Sequence, residues 1–111
     1  MEPIPVRAVA LATCLLFNTQ AFAAQPSFKC GKSSHEIEQL ICGNAELAEL
    51  DVSLANLYKS VLKNTPAKAQ QRLKTEQIGW VKGRNDCWKS ADQVACTRSA
   101  YQERINELKD R

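Results

Sequence analysis

Apolar residues recur every three or four positions through most of the chain beyond residue 32, which is the spacing of amphipathic helices. Ser33 and Glu36 have capping-box spacing and precede a short apolar-faced segment that Gly43 ends. Asn44 is placed to cap a second helix, whose apolar stripe extends over residues 47–62. This part of the sequence therefore predicts two helices in succession.

A third and a fourth helix are predicted to follow. Thr65-Pro66 is typical of a cap followed by a proline in the first helical turn, so the third helix should begin after a very short loop and lie antiparallel to the second. It should extend to Cys87 or Trp88, after which Ser90 or Asp92 caps the fourth helix. Since no segment alternates with a period of two, the predicted fold is all-α: an antiparallel helical hairpin with short flanking N-terminal and C-terminal helices.

Polar side chains interrupt the apolar faces of this predicted hairpin at matching depths. An antiparallel register places Asp51 beside Arg84 and Tyr58 beside Gln77. We interpret Asp51 and Arg84 as a partly buried ion pair that fixes the register, because buried charges normally come paired. Gln77 would then satisfy the Tyr58 hydroxyl or a backbone carbonyl. The alternative is a ligand-binding or proton-handling pair.

The first 23 residues have the pattern of a cleavable export signal. The apolar run Ala8–Phe17 follows a basic head and, at about ten residues, is too short to span a membrane. Ala21-Phe22-Ala23 offers small residues to a signal peptidase, so we expect removal of residues 1–23 and a single helical domain over 24–111, in the periplasm or secreted. Cleavage after Ala24 and lipidation at Cys14 are the alternatives.

The mature chain keeps four cysteines, Cys30, Cys42, Cys87 and Cys96. An even number in an exported chain of fewer than about 100 residues indicates two disulfides. We expect Cys30 to pair with Cys42 and Cys87 with Cys96, because each pair closes a short loop across a helix terminus at little entropic cost. The spacings are not those of zinc sites, so we expect no metal.

Charge and residue types limit the possible chemistry. The net charge is +3, and basic side chains outnumber acidic ones between Lys59 and Arg98, so the predicted hairpin is a basic lobe. The single histidine, His35, has no evident partner for a catalytic relay, and a thin four-helix domain has little room for a glycosidase cleft. We therefore expect no enzymatic activity and no cofactor, and export argues against a nucleic-acid partner.

Several motifs resemble those of the lysozyme inhibitor LprI N-terminal domain family. They are Phe28-x-Cys30, Glu38-x-x-Ile41-Cys42, Glu46-Leu47-Ala48-x-Leu50-Asp51, Glu76-Gln77-x-x-Trp80-x-x-x-Arg84-Asn85-Asp86-Cys87 and Tyr101-x-x-Arg104-Ile105-x-x-Leu108. The resemblance covers essentially the whole mature chain and implies a small exported bacterial helical domain. Asn85, where the family motif often has aspartate, and the lack of a usable lipidation motif are departures that weaken the transfer of function.

Two functions are compatible with the sequence. One is a protein-binding domain that inhibits a lysozyme-type muramidase, the activity that gives the family its name. The contacts would then come from Glu38, Glu46 and Glu49 on the first two helices, with Trp88 as an exposed anchor. Animal lysozymes are typically basic, so only this acidic end of a +3 domain would favour association. The alternative is an accessory module whose basic hairpin binds an anionic envelope partner.

Overall fold

The computed structural model describes residues 25–111. They form four α-helices, α1 (Glu36–Cys42), α2 (Ala45–Lys63), α3 (Ala67–Asn85) and α4 (Gln93–Lys109), with a short 3-10 helix, Asp86–Lys89, between α3 and α4. No strand occurs over this range, so the all-α prediction is confirmed. None of these helices is long and apolar enough to cross a membrane. The predicted signal, its cleavage site and Cys14 lie outside the described residues.

The start of α1 differs from the prediction. The imidazole Nδ1 of His35 accepts a hydrogen bond from the backbone N–H of Ile37 at 3.0 Å, and the Glu38 carboxylate accepts one from the His35 N–H at 3.2 Å. The capping box is therefore His35–Glu38, two residues beyond the predicted Ser33. Ser33 lies in a preceding turn that is closed by the Ser34 N–H and the Gly31 carbonyl, so it cannot begin the helix.

The other helix boundaries follow local capping chemistry. Asn44 caps α2 by accepting a hydrogen bond from the Leu47 N–H at 3.0 Å, and Asp92, one of the two predicted candidates, caps α4. Thr65 does not cap α3 as predicted, because its hydroxyl donates to the Val61 carbonyl at 2.7 Å and completes the end of α2. The turn between α2 and α3 is nevertheless as short as expected.

The fourth helix is the centre of the packing. Both α2 and α3 pack against α4, α2 most extensively, whereas α2 and α3 contact each other only weakly. The prediction that the faces of the α2–α3 hairpin pair directly is therefore wrong. Buried side chains of α4, among them Tyr101 and Leu108, fill the space beneath the hairpin and leave a groove between its two helices.

The core combines apolar residues with buried polar groups. Its largest fully buried apolar and aromatic side chains are Ile37, Ile41, Leu47, Leu54, Leu73, Tyr101 and Leu108. Asp51, Arg84, Thr97 and Arg104 are buried among them, each at most 5% exposed. A small domain with charges in its core has a limited apolar driving force, which makes covalent cross-links valuable.

Two disulfides supply those cross-links, with the predicted connectivity. Cys30–Cys42 ties the segment before α1 to the last residue of that helix, and Cys87–Cys96 ties the 3-10 helix to α4. Each closes a loop of roughly ten residues and should stabilise the fold by about 2–3 kcal/mol on the unfolded-state entropy model.

Candidate functional site

A groove of about 450 Å³ lies between α2 and α3 and is the best candidate for a binding site. Its size falls in the usual range of roughly 300–1,000 Å³ for ligand pockets. Apolar and aromatic side chains dominate its walls: Phe28, Leu54, Ala55, Tyr58, Trp80 and Val81. The polar groups that reach it are Ser27, Glu38, Asp51, Lys59, Gln77 and Arg84.

A second depression, of about 540 Å³, lies between α2 and α4 and is larger but more open. Leu50, Leu57 and Ile105 contribute to its apolar lining, and Lys109 is its only charged residue. It therefore lacks the converging charged and aromatic groups that distinguish the α2–α3 groove.

The groove floor contains a buried hydrogen-bonded cluster centred on Tyr101 of α4. The Tyr101 hydroxyl donates to Asp51 Oδ1 at 2.8 Å and accepts from Arg84 Nη1 at 3.1 Å. Asp51 and Arg84 thus come together as predicted, but Tyr101 lies between them and they form no direct ion pair in the described structure. The difference follows from the packing, because α4 occupies the position where the two helices were expected to meet.

The segment of residues 26–30, here called the strap, forms one wall of the groove. The backbone N–H of Ser27 donates to Asp51 Oδ2 at 2.6 Å, so both carboxylate oxygens of Asp51 are occupied. The Phe28 ring packs against the core with its centroid 5.6 Å from the Arg84 guanidinium carbon. The strap therefore contacts both charged residues of the floor.

The Arg84 guanidinium has hydrogen-bonding and charged partners and lies close to three aromatic rings. Its Nε and Nη2 donate to the Asn85 side-chain oxygen at 3.1 and 2.9 Å, and Nη2 lies 3.6 Å from Glu38 Oε2. The Trp80 centroid is 5.6 Å away, within cation–π range. Asn85, a departure from the family motif, serves here as a neutral acceptor for a guanidinium that already has carboxylates nearby.

In the described structure, Gln77 binds neither the Tyr58 hydroxyl nor a backbone carbonyl, the two partners predicted for it. Its amide oxygen accepts instead from Arg104 Nε at 2.9 Å, because α4 brings a buried charged donor to the position expected for the Tyr58 hydroxyl. Arg104 was not identified as a core residue by its sequence pattern. The available signal was its position three residues after Tyr101, which puts both on the inward face of one helix.

The four predicted protein-contact residues have different surroundings. Glu38 faces Arg84 and is half-buried, whereas Glu49 is exposed. Glu46 is held by Arg98 in a bidentate pair at 2.8–3.1 Å, and these hydrogen bonds lower the pKa of Glu46. Trp88 is 48% exposed at the end of the 3-10 helix, as expected for a contact anchor. The predicted acidic surface is therefore partly neutralised.

Comparison with known proteins identifies the family. The sequence model for the lysozyme inhibitor LprI family matches residues 29–108. The chain belongs to this family. It is also 30% identical over 106 residues to the proteins named lipoprotein LprI of Mycobacterium bovis and of two strains of Mycobacterium tuberculosis. These matches cover 93% of this chain and 52% of each relative, so the chain spans about half the length of these curated relatives. No solved structure matches it.

The geometry of this LprI-family groove suits binding better than proton transfer. The charged groups on its floor are engaged with one another, with Tyr101 and with the strap. Burial raises the pKa of Tyr101, and Asp51 acts in the same direction while Arg84 opposes it, so the phenol stays protonated at physiological pH. Among residues 25–111, no group of three or more His, Cys, Asp or Glu side chains is arranged to hold a metal ion.

Replacing Asp51 tests the floor cluster. Asp51→Ala removes the acceptor for the Tyr101 hydroxyl and the Ser27 N–H, and removes the buried negative charge that Tyr101 links to Arg84. It should reduce the free energy of unfolding by about 3 kcal/mol more than Glu49→Ala, an exposed change on the same helix. Denaturant unfolding of both variants measures the difference, and equal midpoints would contradict a stabilising cluster.

Alkaline pH tests the raised pKa of Tyr101. The folded protein keeps this phenol neutral, while the unfolded chain ionises it near its ordinary pKa of about 10. The stabilisation is therefore complete below about pH 10 and declines as the pH rises above it. The free energy of unfolding of the wild type, measured relative to that of Tyr101→Phe, should be constant up to about pH 9 and should fall as the pH rises from about 10 to 11. A constant difference between the two proteins over this interval would show that Tyr101 titrates normally.

Proposed function

We propose that this chain is an exported, non-enzymatic protein-binding domain that inhibits a lysozyme-type muramidase through the α2–α3 groove. Membership of the lysozyme inhibitor LprI family supports the activity. Two disulfides are typical of proteins from oxidising compartments, and the relatives carry the name lipoprotein, which supports an envelope or extracellular location. The predicted signal over residues 1–23 agrees with this location.

The observation that carries the proposal is the combination of aromatic walls with a pre-organised floor. Phe28, Tyr58 and Trp80 offer the kind of side chain that is enriched in protein-binding hot spots. Asp51 and Arg84 are 5% and 3% exposed and are engaged internally, so a partner need not order them on binding. A side chain or loop of the enzyme would therefore enter a groove whose shape is already set.

The electrostatic part of the proposal is smaller than the sequence suggested. Arg98 already neutralises Glu46, so the exposed carboxylate of Glu49 is the better candidate for contact with a basic enzyme. Exposed charges of this kind mainly affect the association rate and are screened by salt. Shape and aromatic contact in the groove would then supply most of the affinity, with exposed Trp88 as a second anchor.

A lysozyme assay on groove variants tests this function. Wild-type protein at micromolar concentration and low salt should inhibit cell-wall lysis. Tyr58→Ala should weaken the inhibition by about tenfold or more, because it removes an aromatic wall. Ile78→Ala, a change on the outer surface of α3 where the side chain is 59% exposed, should have little effect and serves as the control.

Each alternative outcome has a distinct meaning. No inhibition by the wild type would reject the proposal for that enzyme. Equal inhibition by wild type and Tyr58→Ala would reject the groove as the contact. If Glu49→Lys abolished inhibition while Tyr58→Ala did not, the enzyme would contact the acidic side of α2 and not the groove.

The outer face of α3 favours a second candidate function, binding to an anionic phospholipid surface. Its exposed residues follow helical spacing: Lys68, Gln71, Thr75, Ile78 and Lys82. Arg72 and Lys74 flank this stripe, which contains no acidic residue. Ile78 is the most exposed large apolar side chain of the described residues and lies among these basic groups. Basic side chains attract anionic head groups while an apolar side chain can enter the interface.

Vesicle sedimentation distinguishes this second candidate from the first. The domain should bind phosphatidylglycerol vesicles and not phosphatidylcholine vesicles, and Lys68→Glu/Lys82→Glu should reduce the bound fraction by about tenfold. The double variant Lys32→Glu/Lys109→Glu has the same change in net charge at exposed sites elsewhere and is the matched control. Equal losses in the two variants would mean that net charge, and not the α3 face, governs binding.

A further inference from the structure

The strap is the one wall of the groove that no regular secondary structure supports. Residues 26–30 form neither helix nor strand, so no backbone ladder anchors them. Four features hold the strap in place: the burial of Pro26, the Ser27 N–H bond to Asp51, the packing of Phe28 against Arg84, and the disulfide between Cys30 and Cys42. Only the last of these is covalent.

We infer that the Cys30–Cys42 disulfide is a latch for the strap and that its reduction opens the groove. With the disulfide intact, Cys30 is fixed to the end of α1, and Phe28, only two residues earlier, is confined near Arg84. In the exported protein, from which the proposed cleavage removes residues 1–23, breaking it leaves the strap as a terminal segment joined covalently only through the turn that precedes α1. Only the Ser27 hydrogen bond and the apolar contacts of Pro26 and Phe28 then hold it, and terminal segments with so few contacts are poorly ordered, so Ser27 and Phe28 leave the floor.

The two disulfides differ in their accessibility and in what they hold. Cys30 is exposed, whereas Cys87 is 3% exposed within the core. A dithiol reductant would therefore attack Cys30–Cys42 first. The dithiol supplies two electrons and two protons, is itself oxidised to a disulfide, and leaves free thiols on Cys30 and Cys42. Cys87–Cys96 joins the 3-10 helix to α4 and includes no residue of the strap, so it is an internal control.

Opening the groove would change the site that the proposed function uses. Loss of Phe28 removes an aromatic wall, and loss of the Ser27 N–H frees one oxygen of Asp51. The effect on an enzyme partner rests on the proposed inhibitor function, but release of the strap does not depend on it. The latch is therefore testable in the absence of any partner.

Amide hydrogen exchange of the exported protein tests the latch. In Cys30→Ser/Cys42→Ser, protection of the Ser27 amide should fall at least tenfold, while α2 and α4 amides remain protected. In Cys87→Ser/Cys96→Ser, Ser27 should keep its protection. A Trp88→Phe background leaves Trp80 as the only tryptophan, and its fluorescence should become more accessible to acrylamide in the first variant alone.

Titration of the wild type with dithiothreitol tests the release of the strap without cysteine substitutions. Thiol labelling should appear at Cys30 and Cys42 before Cys87 and Cys96, together with loss of Ser27 protection. Ser27 protection that persists after Cys30–Cys42 is reduced would overturn the inference. Failure of the proposed inhibitor function would give a different result. The oxidised wild type would then leave lysozyme activity unchanged, whether or not reduction lowers the protection of the Ser27 amide.

Discussion

The remaining architecture depends on the two hydrogen bonds that the Tyr101 hydroxyl makes. A phenol can donate one hydrogen bond while accepting another, so it can stand between a carboxylate and a guanidinium and satisfy both. Here it joins Asp51 of α2 to Arg84 of α3 from a position on α4, and Asp51 in turn holds the strap through Ser27. In a low-dielectric interior such a network is strong when complete and costly when broken. One hydroxyl therefore couples three helices and the strap.

The groove is a direct consequence of that central position. If Asp51 and Arg84 had met directly, α2 and α3 would have packed together and no space would have remained between them. Because Tyr101 bridges them from below, the two helices rest on α4 and stay apart over the floor. The aromatic walls then remain accessible, while both charged residues are almost fully buried. Stability and the proposed binding surface arise from the same arrangement.

Local signals in the sequence predicted the features that depend on local chemistry. The cap at Asn44, the short turn after α2 and both disulfides follow from side chains close in sequence, and the structure has them. The partners of Asp51 and Gln77 depend on where α4 packs, which no local pattern specifies. The motif Tyr101-x-x-Arg104 in α4 did not indicate that the Tyr101 hydroxyl, or the neighbouring Arg104, would replace the predicted pairings.

The strap and the helical core differ in how many contacts hold them, and this difference determines how the groove would open. The helical core is held together mainly by α4 and by Cys87–Cys96, neither of which is part of the strap. The strap contributes to the core mainly through Phe28, together with buried Pro26. Local opening therefore needs much less free energy than global unfolding, as is common for segments with few buried contacts. A covalent link at Cys30 is an effective control point because it acts on this local equilibrium and leaves the Tyr101 cluster with its α2, α3 and α4 partners intact.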